Sequence, residues 1–153
     1  MPPVFRDDPY TAYNFEVTVD GVSDDGQAVK GSFTEAMVGD TTIDPIEYRN
    51  GSEGLTVRKI PGLVKHGNIT LKRGYTGDLA FWNWLVESMN GLVRRTSVSI
   101  IMLNENRAPV MQWNFTRCWI TKLTGPSFNA KNNEIAIETL EICHEGIEID
   151  GQA

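Results

Sequence analysis

His66, His144, Cys118 and Cys143 are the residues of this chain best suited to acid–base, nucleophilic or metal chemistry. Their spacing organises none of it. The cysteines are too far apart for a Cys-x-x-Cys pair, no second pair exists to complete a zinc tetrahedron, and free thiols are the expected state. No His-x-x-x-His pair, Gly-rich phosphate loop or Gly-x-Ser-x-Gly elbow occurs. With no nucleophile set beside a base by local spacing, the sequence names no catalytic residue, no cofactor and no metal ligand. The acidic turn over residues 20–26 offers carboxylates to calcium, but Val22 stands where an EF-hand needs an oxygen, so a solvated turn is expected. Trp82, Trp84, Trp113 and Trp119 could stack on sugars or bases. Core or interface packing explains them more simply.

The element around which the chain is organised is residues 67–75 with the segment that follows. Ile69 and Leu71 alternate with Asn68, Thr70 and Lys72, the period of a strand. The period then changes. Trp82, Leu85, Val86 and Met89 fall at i, i+3, i+4 and i+7, which predicts a helix over residues 78–89 with that stripe as its apolar face. Thr76 or Asp78 can cap it, and Asn90-Gly91 is an αL stop. Trp84 lies off the stripe and is expected at an interface.

The remainder reads as strand and loop. Tyr13, Phe15, Val17 and Val19 alternate with polar residues. A second strand is expected over residues 28–38 with Phe33 and Met37 inward. Residues 96–103 are apolar enough to be covered on both faces, and they form a hairpin with residues 110–115; residues 118–120 continue or bend that strand. In the last strand, residues 134–143, Ile135 and Ile137 share one face and Leu140 and Ile142 the other, which implies a bulge or a change of neighbours. A proline-flanked arm over residues 1–11 and a short acidic tail frame what is expected to be a single domain over residues 1–153.

Residues 39–66 stand apart. They are polar and punctuated by Asp44-Pro45, Asn50-Gly51 and Pro61-Gly62, yet carry Ile43, Ile46, Tyr48, Leu55, Val57 and Ile60. So long a loop within a compact domain is uncommon without a function, and this one is too apolar for disorder. Two readings stay open: an extended hairpin reaching toward a partner, or a pair of strands in the same sheet.

A hydrophobic share of 41% over 153 residues is enough for a real core. The net charge of −6, with both signs scattered, excludes the basic face that phosphate-backbone binding requires. No stretch reaches the roughly 20 apolar residues of a membrane span or the form of a signal peptide, so synthesis in the cytoplasm is expected and the sequons at Asn68 and Asn114 are read as chance.

Glu47-Tyr48-Arg49-Asn50-Gly51, Arg58-Lys59-Ile60-Pro61-Gly62, the strand at residues 67–74 and the tryptophan-bearing helix follow one another in an order that resembles the tail-tube proteins of contractile phage tails and related contractile injection systems. The likeness covers residues 13–145. It implies a mainly β fold, a β-sandwich or partly open β-barrel with one flanking helix, whose copies close into hexameric rings that stack into a hollow tube within a contractile sheath. The partners implied are further copies of the chain, the sheath, baseplate and tube-terminating proteins, and a lumenal cargo of DNA or protein toxin. Residues 39–66 then resemble the segment that reaches between subunits or rings, with Tyr48, Arg49, Arg58 and Lys59 as contacts, Asp44 and Glu47 as acidic counterparts and Trp84 beside them. Two rival readings are a secreted ring protein of a type VI system and, in another class, a monomeric carbohydrate-binding β-module.

Overall fold

A computed structural model of the chain describes residues 8–9, 14–20, 29–31, 33–49, 51, 54, 57–74, 79–131 and 135–151. The strands are β1 (Phe15–Val19), β2 (Val29–Gly31), β3 (Phe33–Met37), β4 (Thr41–Tyr48), β5 (Arg58–His66), β6 (Ile69–Gly74), β7 (Thr96–Leu103), β8 (Pro109–Thr124), β9 (Ile137–Cys143) and β10 (Gly146–Gly151); one helix, α1 (Ala80–Met89), lies between β6 and β7. All strand pairs are antiparallel.

The long strand β8 joins two sheets into a β-sandwich. Its first half pairs with β7 on one side and β10 on the other, in the sheet that continues through β1 to β2. Its second half pairs with β9, which leads through β6 to β3. Between the halves Arg117 takes a left-handed backbone with φ 52°, and the register slips between Ile120 and Lys122, the local devices by which a strand turns a corner between sheets. Val17, Val19, Val98, Ile100 and Phe115 from one sheet meet Ile69, Leu71, Ile120, Leu140 and Ile142 from the other in the core. The sandwich does not close into a barrel.

The alternating stretches fold as their period implies: Val17 and Val19, and Ile69 and Leu71, all point inward. Several expectations are corrected. Residues 28–38 are not one strand, because β2 pairs with β1 whereas β3 pairs with β6, and Met37 is exposed. The acidic tail contains β10, with Ile147 opposite Phe115 and Ile149 opposite Trp113. β9 needs no change of face: Glu138, Leu140 and Ile142 all point inward, and Ile137 outward. Up to Met102, β7 buries one face rather than two, with Val98 and Ile100 inside, and Leu103 is buried past a shift of register.

The helix also turns a different side to the core. Ala80, Phe81 and Trp84 are buried, while Trp82 and Met89 are exposed. Trp84 therefore is a core residue, and its indole N–H donates to the Arg94 carbonyl at 2.9 Å. The reason is that α1 has apolar residues nearly all round, so two stripes fit the helical period and only tertiary partners choose between them. Thr76 and Asp78 lie outside the described residues; Gly91 supplies the expected αL stop with φ 91°.

Candidate functional site: the protruding hairpin and its root

β4 and β5 form a two-stranded sheet of their own, separate from the sandwich. Of the two readings of residues 39–66, the extended hairpin is the one the fold adopts. Every residue of β4 except Asp44 is exposed, and so is all of β5 but Gly62 and His66, so neither face of this hairpin has a core. Ile43, Ile46, Tyr48, Ile60, Leu63 and Val64 stand in solvent. An isolated two-stranded ribbon is marginal in water, and apolar side chains on both its faces mark it as a surface made to be covered.

Six of the seven residues expected at contacts lie on or beside this hairpin. Glu47 pairs in register with Lys59, and Tyr48 with Arg58, while Arg49 directly follows β4. Asp44 Oδ2 bonds Lys65 Nζ at 2.7 Å across the strands. That exposed pair contributes little to stability. Trp84 is the exception, as a buried core residue. A glycine is required at position 62, opposite the register shift of β4, because a Cβ there would lie 2.7 Å from the Asp44 carbonyl oxygen.

The hairpin is held at its root rather than along its length. Gly39 has φ 82°, and a Cβ on it would meet the Asn68 carbonyl oxygen at 2.5 Å. The Gly67 N–H donates to the Asp40 carbonyl at 2.5 Å. Behind this turn His144, buried between β9 and β10, sets Nε2 3.1 Å from the Gly67 carbonyl and Nδ1 3.2 Å from the Gly146 carbonyl. Its ring lies 5.2 Å from that of His66 and edge-on to Phe115 at 4.8 Å. His66 Nδ1 is buried without a hydrogen-bond partner. The fold thus brings the two histidines together, which no local spacing foretold.

Each His144 ring nitrogen faces a backbone carbonyl, of which the neutral ring can donate to one. It is a clamp. Burial holds the His144 pKa below the ordinary imidazole range, the two carbonyls oppose that shift, and nearby His66 adds to it. The unfolded chain therefore takes up the proton first: stability is complete above about pH 6.5 and falls as pH drops from there through the lower folded value. Denaturation midpoints measured between pH 7 and 5.5 are expected to fall in the wild type and to change less in His144→Phe; equal slopes would remove His144 as the cause.

Among the described residues no group of three or more metal-ligating side chains exists. Both cysteines are free; burial pushes the Cys118 thiol up to about 12, which leaves it an unreactive core group. The tryptophans do not assemble into a platform. Trp84 is buried, Trp113 and Trp119 pack against the core, and only Trp113 of the four lines the cleft of about 330 Å³ between β1, β3 and β7.

What decides the family is a hairpin of this kind on a corner-joined β-sandwich together with the match of residues 11–148 to the model of the T4-like virus tail tube protein gp19. The chain belongs to the T4-like virus tail tube protein family. A chain in the sheath–tube complex of an extracellular contractile injection system, PVC, in its extended state is 28% identical, with a TM-score of 0.81 over 95% of this chain and 94% of that one. A chain from the tube-terminating cap of the anti-feeding prophage is 30% identical, with a TM-score of 0.81 over 99% and 97%. Hcp1 from Flavobacterium johnsoniae shares the fold alone, at 18% identity and a TM-score of 0.55 over 92% and 97%. No curated protein sequence matches the chain. The contractile-tail reading is accordingly better supported than the type VI one, whose representatives share only the general architecture.

Proposed function

We propose that this protein is the structural subunit of the inner tube of a contractile injection apparatus, six copies closing each ring and rings stacking into a rigid conduit within a sheath. The observation that carries this is the β4–β5 hairpin, a long ribbon exposed on both faces, on a chain of the tail-tube family. The sheet β8–β9–β6–β3 supports ring closure: no described residue pairs with the outer edge of β3 or of residues 119–124 in β8. An open edge invites unlimited pairing unless a neighbour caps it, and pairing β3 of one copy with β8 of the next around a ring leaves no edge at all.

Asp44, Glu47, Tyr48, Arg49, Arg58 and Lys59 make the contacts of the hairpin with neighbouring copies. The partners are the sheath around the tube and a baseplate and terminating cap at its ends, in line with the complexes in which the similar chains occur. The work is mechanical: contraction of the sheath drives the tube through an envelope, and the protein catalyses no reaction. Its charge of −6 per copy disfavours sticking of DNA or an acidic protein cargo. Synthesis and assembly take place in the bacterial cytoplasm, before release of the particle.

Negative-stain electron microscopy of the purified protein over a concentration series tests this reading. Rings or tubes with a central hole are expected, and Arg58→Glu is expected to shorten the tubes. Dispersed monomers at every concentration, persisting after addition of purified baseplate, would overturn it.

A further inference from the structure

His66 ends β5 and His144 stands between β9 and β10, so their two rings meet where the chain passes from the hairpin back to the sandwich. Their nitrogens set how many protons the closed root can hold. Neutral His144 donates to one of the two carbonyls it faces and leaves the other unmet, whereas its imidazolium, with an N–H on each nitrogen, donates to both Gly67 and Gly146. A first proton therefore fits the closed root. A second does not: it goes to His66, whose cation carries an N–H on Nδ1, and that atom is buried without an acceptor. It also puts like charges on two rings whose centres lie 5.2 Å apart. Both penalties vanish when His66 turns out to water.

The charged groups on the surrounding elements do not relieve them. Lys65 of β5 is bonded to Asp44, and Arg117 of β8 to Glu145, which follows His144, both as exposed pairs. Cys118 of β8 is buried with its thiol pushed up to about 12 and so stays neutral, while Asp40 is exposed and meets the turn through its backbone carbonyl. Among the described residues no carboxylate forms an ion pair with either ring. The turn itself has no slack, because a Cβ on Gly67 would lie 2.8 Å from the Asp40 nitrogen. Beyond it the hairpin has no core, so opening the root costs little apolar burial.

We propose that His66 and His144 form a proton-operated latch on the hairpin: the closed root holds one proton at most, and a second opens the Gly39–Gly67 turn and frees β4 and β5 from the sandwich. Burial opposes the charging of His144, which places the change on the acid side of neutrality. The latch belongs to the single chain; its consequence rests on the tube reading above. Hairpins that lose their fixed direction no longer meet neighbouring copies, and tubes formed near neutrality come apart on acidification.

Proton NMR of the two imidazole rings in the full chain from about pH 8 to 5, beside peptide-resolved hydrogen exchange corrected for the intrinsic rate at each pH, tests the latch. Two coupled titration steps at least about one pH unit apart are expected. The second is expected to accompany at least a roughly tenfold loss of protection over residues 40–48 and 58–67, while β6 and β9 keep theirs. Two independent titrations, or hairpin protection unchanged at about pH 5.5, overturn the proposal. His66→Gln cannot take the second proton and is expected to keep its hairpin protection at that pH; a loss equal to wild type overturns the proposal too. The wild-type titration stands by itself if that variant does not fold. In the assembled state, a step from about pH 7.5 to 5.5 is expected to lower the number of wild-type tubes at least about tenfold and to spare those of His66→Gln. Tubes that survive while the monomer's hairpin opens overturn the link to assembly; absence of tubes at every pH overturns the tube reading and leaves the latch to the monomer's titration.

Discussion

Glu138→Ala is expected to destabilise the monomer by about 3–5 kcal/mol, the usual cost of removing one partner of a buried ion pair. Glu138 on β9 and Arg73 on β6 face each other in register, and both side chains are buried, in direct contact through Arg73 Nε and Glu138 Oε1. The guanidinium is stacked on Phe81, which in turn tilts against Phe33 with ring centres 6.1 Å apart. One ion pair therefore ties together β6, β9, α1 and the start of β3. Removal of the carboxylate takes its in-register counter-charge from a buried cation, and against a total stability of about 5–15 kcal/mol that is a large fraction. Chemical denaturation of the wild type, Glu138→Ala and the double variant Arg73→Met/Glu138→Leu measures it. The double variant is expected to recover most of the loss, because a pair of apolar residues leaves no charge unpaired. A single variant within 1 kcal/mol of wild type would show that water reaches the pair.

Ile43→Glu combined with Leu63→Glu is expected to abolish tubes while leaving the monomer's stability within about 0.5 kcal/mol of wild type. Both side chains are exposed, so the fold does not depend on them. On the proposed reading assembly does, because each hairpin contact would be repeated around the ring, and a loss of even 1.4 kcal/mol, about tenfold per contact, would be compounded by that repetition. Sedimentation of tubes beside circular-dichroism melting of the same preparation separates the two effects. Tubes of normal yield would mean that the hairpin's apolar faces are not contact surfaces.

Three features were legible in the residues before any coordinates. Alternation located β1, β6 and the first half of β8, because a strand with one face in the core must repeat every two residues, and a run of apolar residues located β7. The shift to a helical period located α1 and its stop at Gly91. The length and apolar content of residues 39–66 set that segment apart but left open an extended hairpin and a pair of strands in the same sheet, of which the fold adopts the separate hairpin, and the order of its motifs pointed to the tail-tube family to which the chain belongs. The hydrophobic period could not choose which side of α1 is buried, and it sent Trp84 to the surface, when that residue fills the core.

What the sequence by itself determined is the strands β1, β6, β7 and the first half of β8, the helix α1, their order and the family, since each is written in patterns a few residues long. Only the tertiary structure decided that Arg73 and Glu138 share the core face, that the tail returns as β10, that β8 turns a corner at Arg117, and that His66 meets His144 at the hairpin's root. In each case a local rule, such as charges outward or acidic tails solvated, is overridden by a partner far away in the chain. The energy of burying a charge or closing an edge depends on that partner, and sequence spacing carries no record of it.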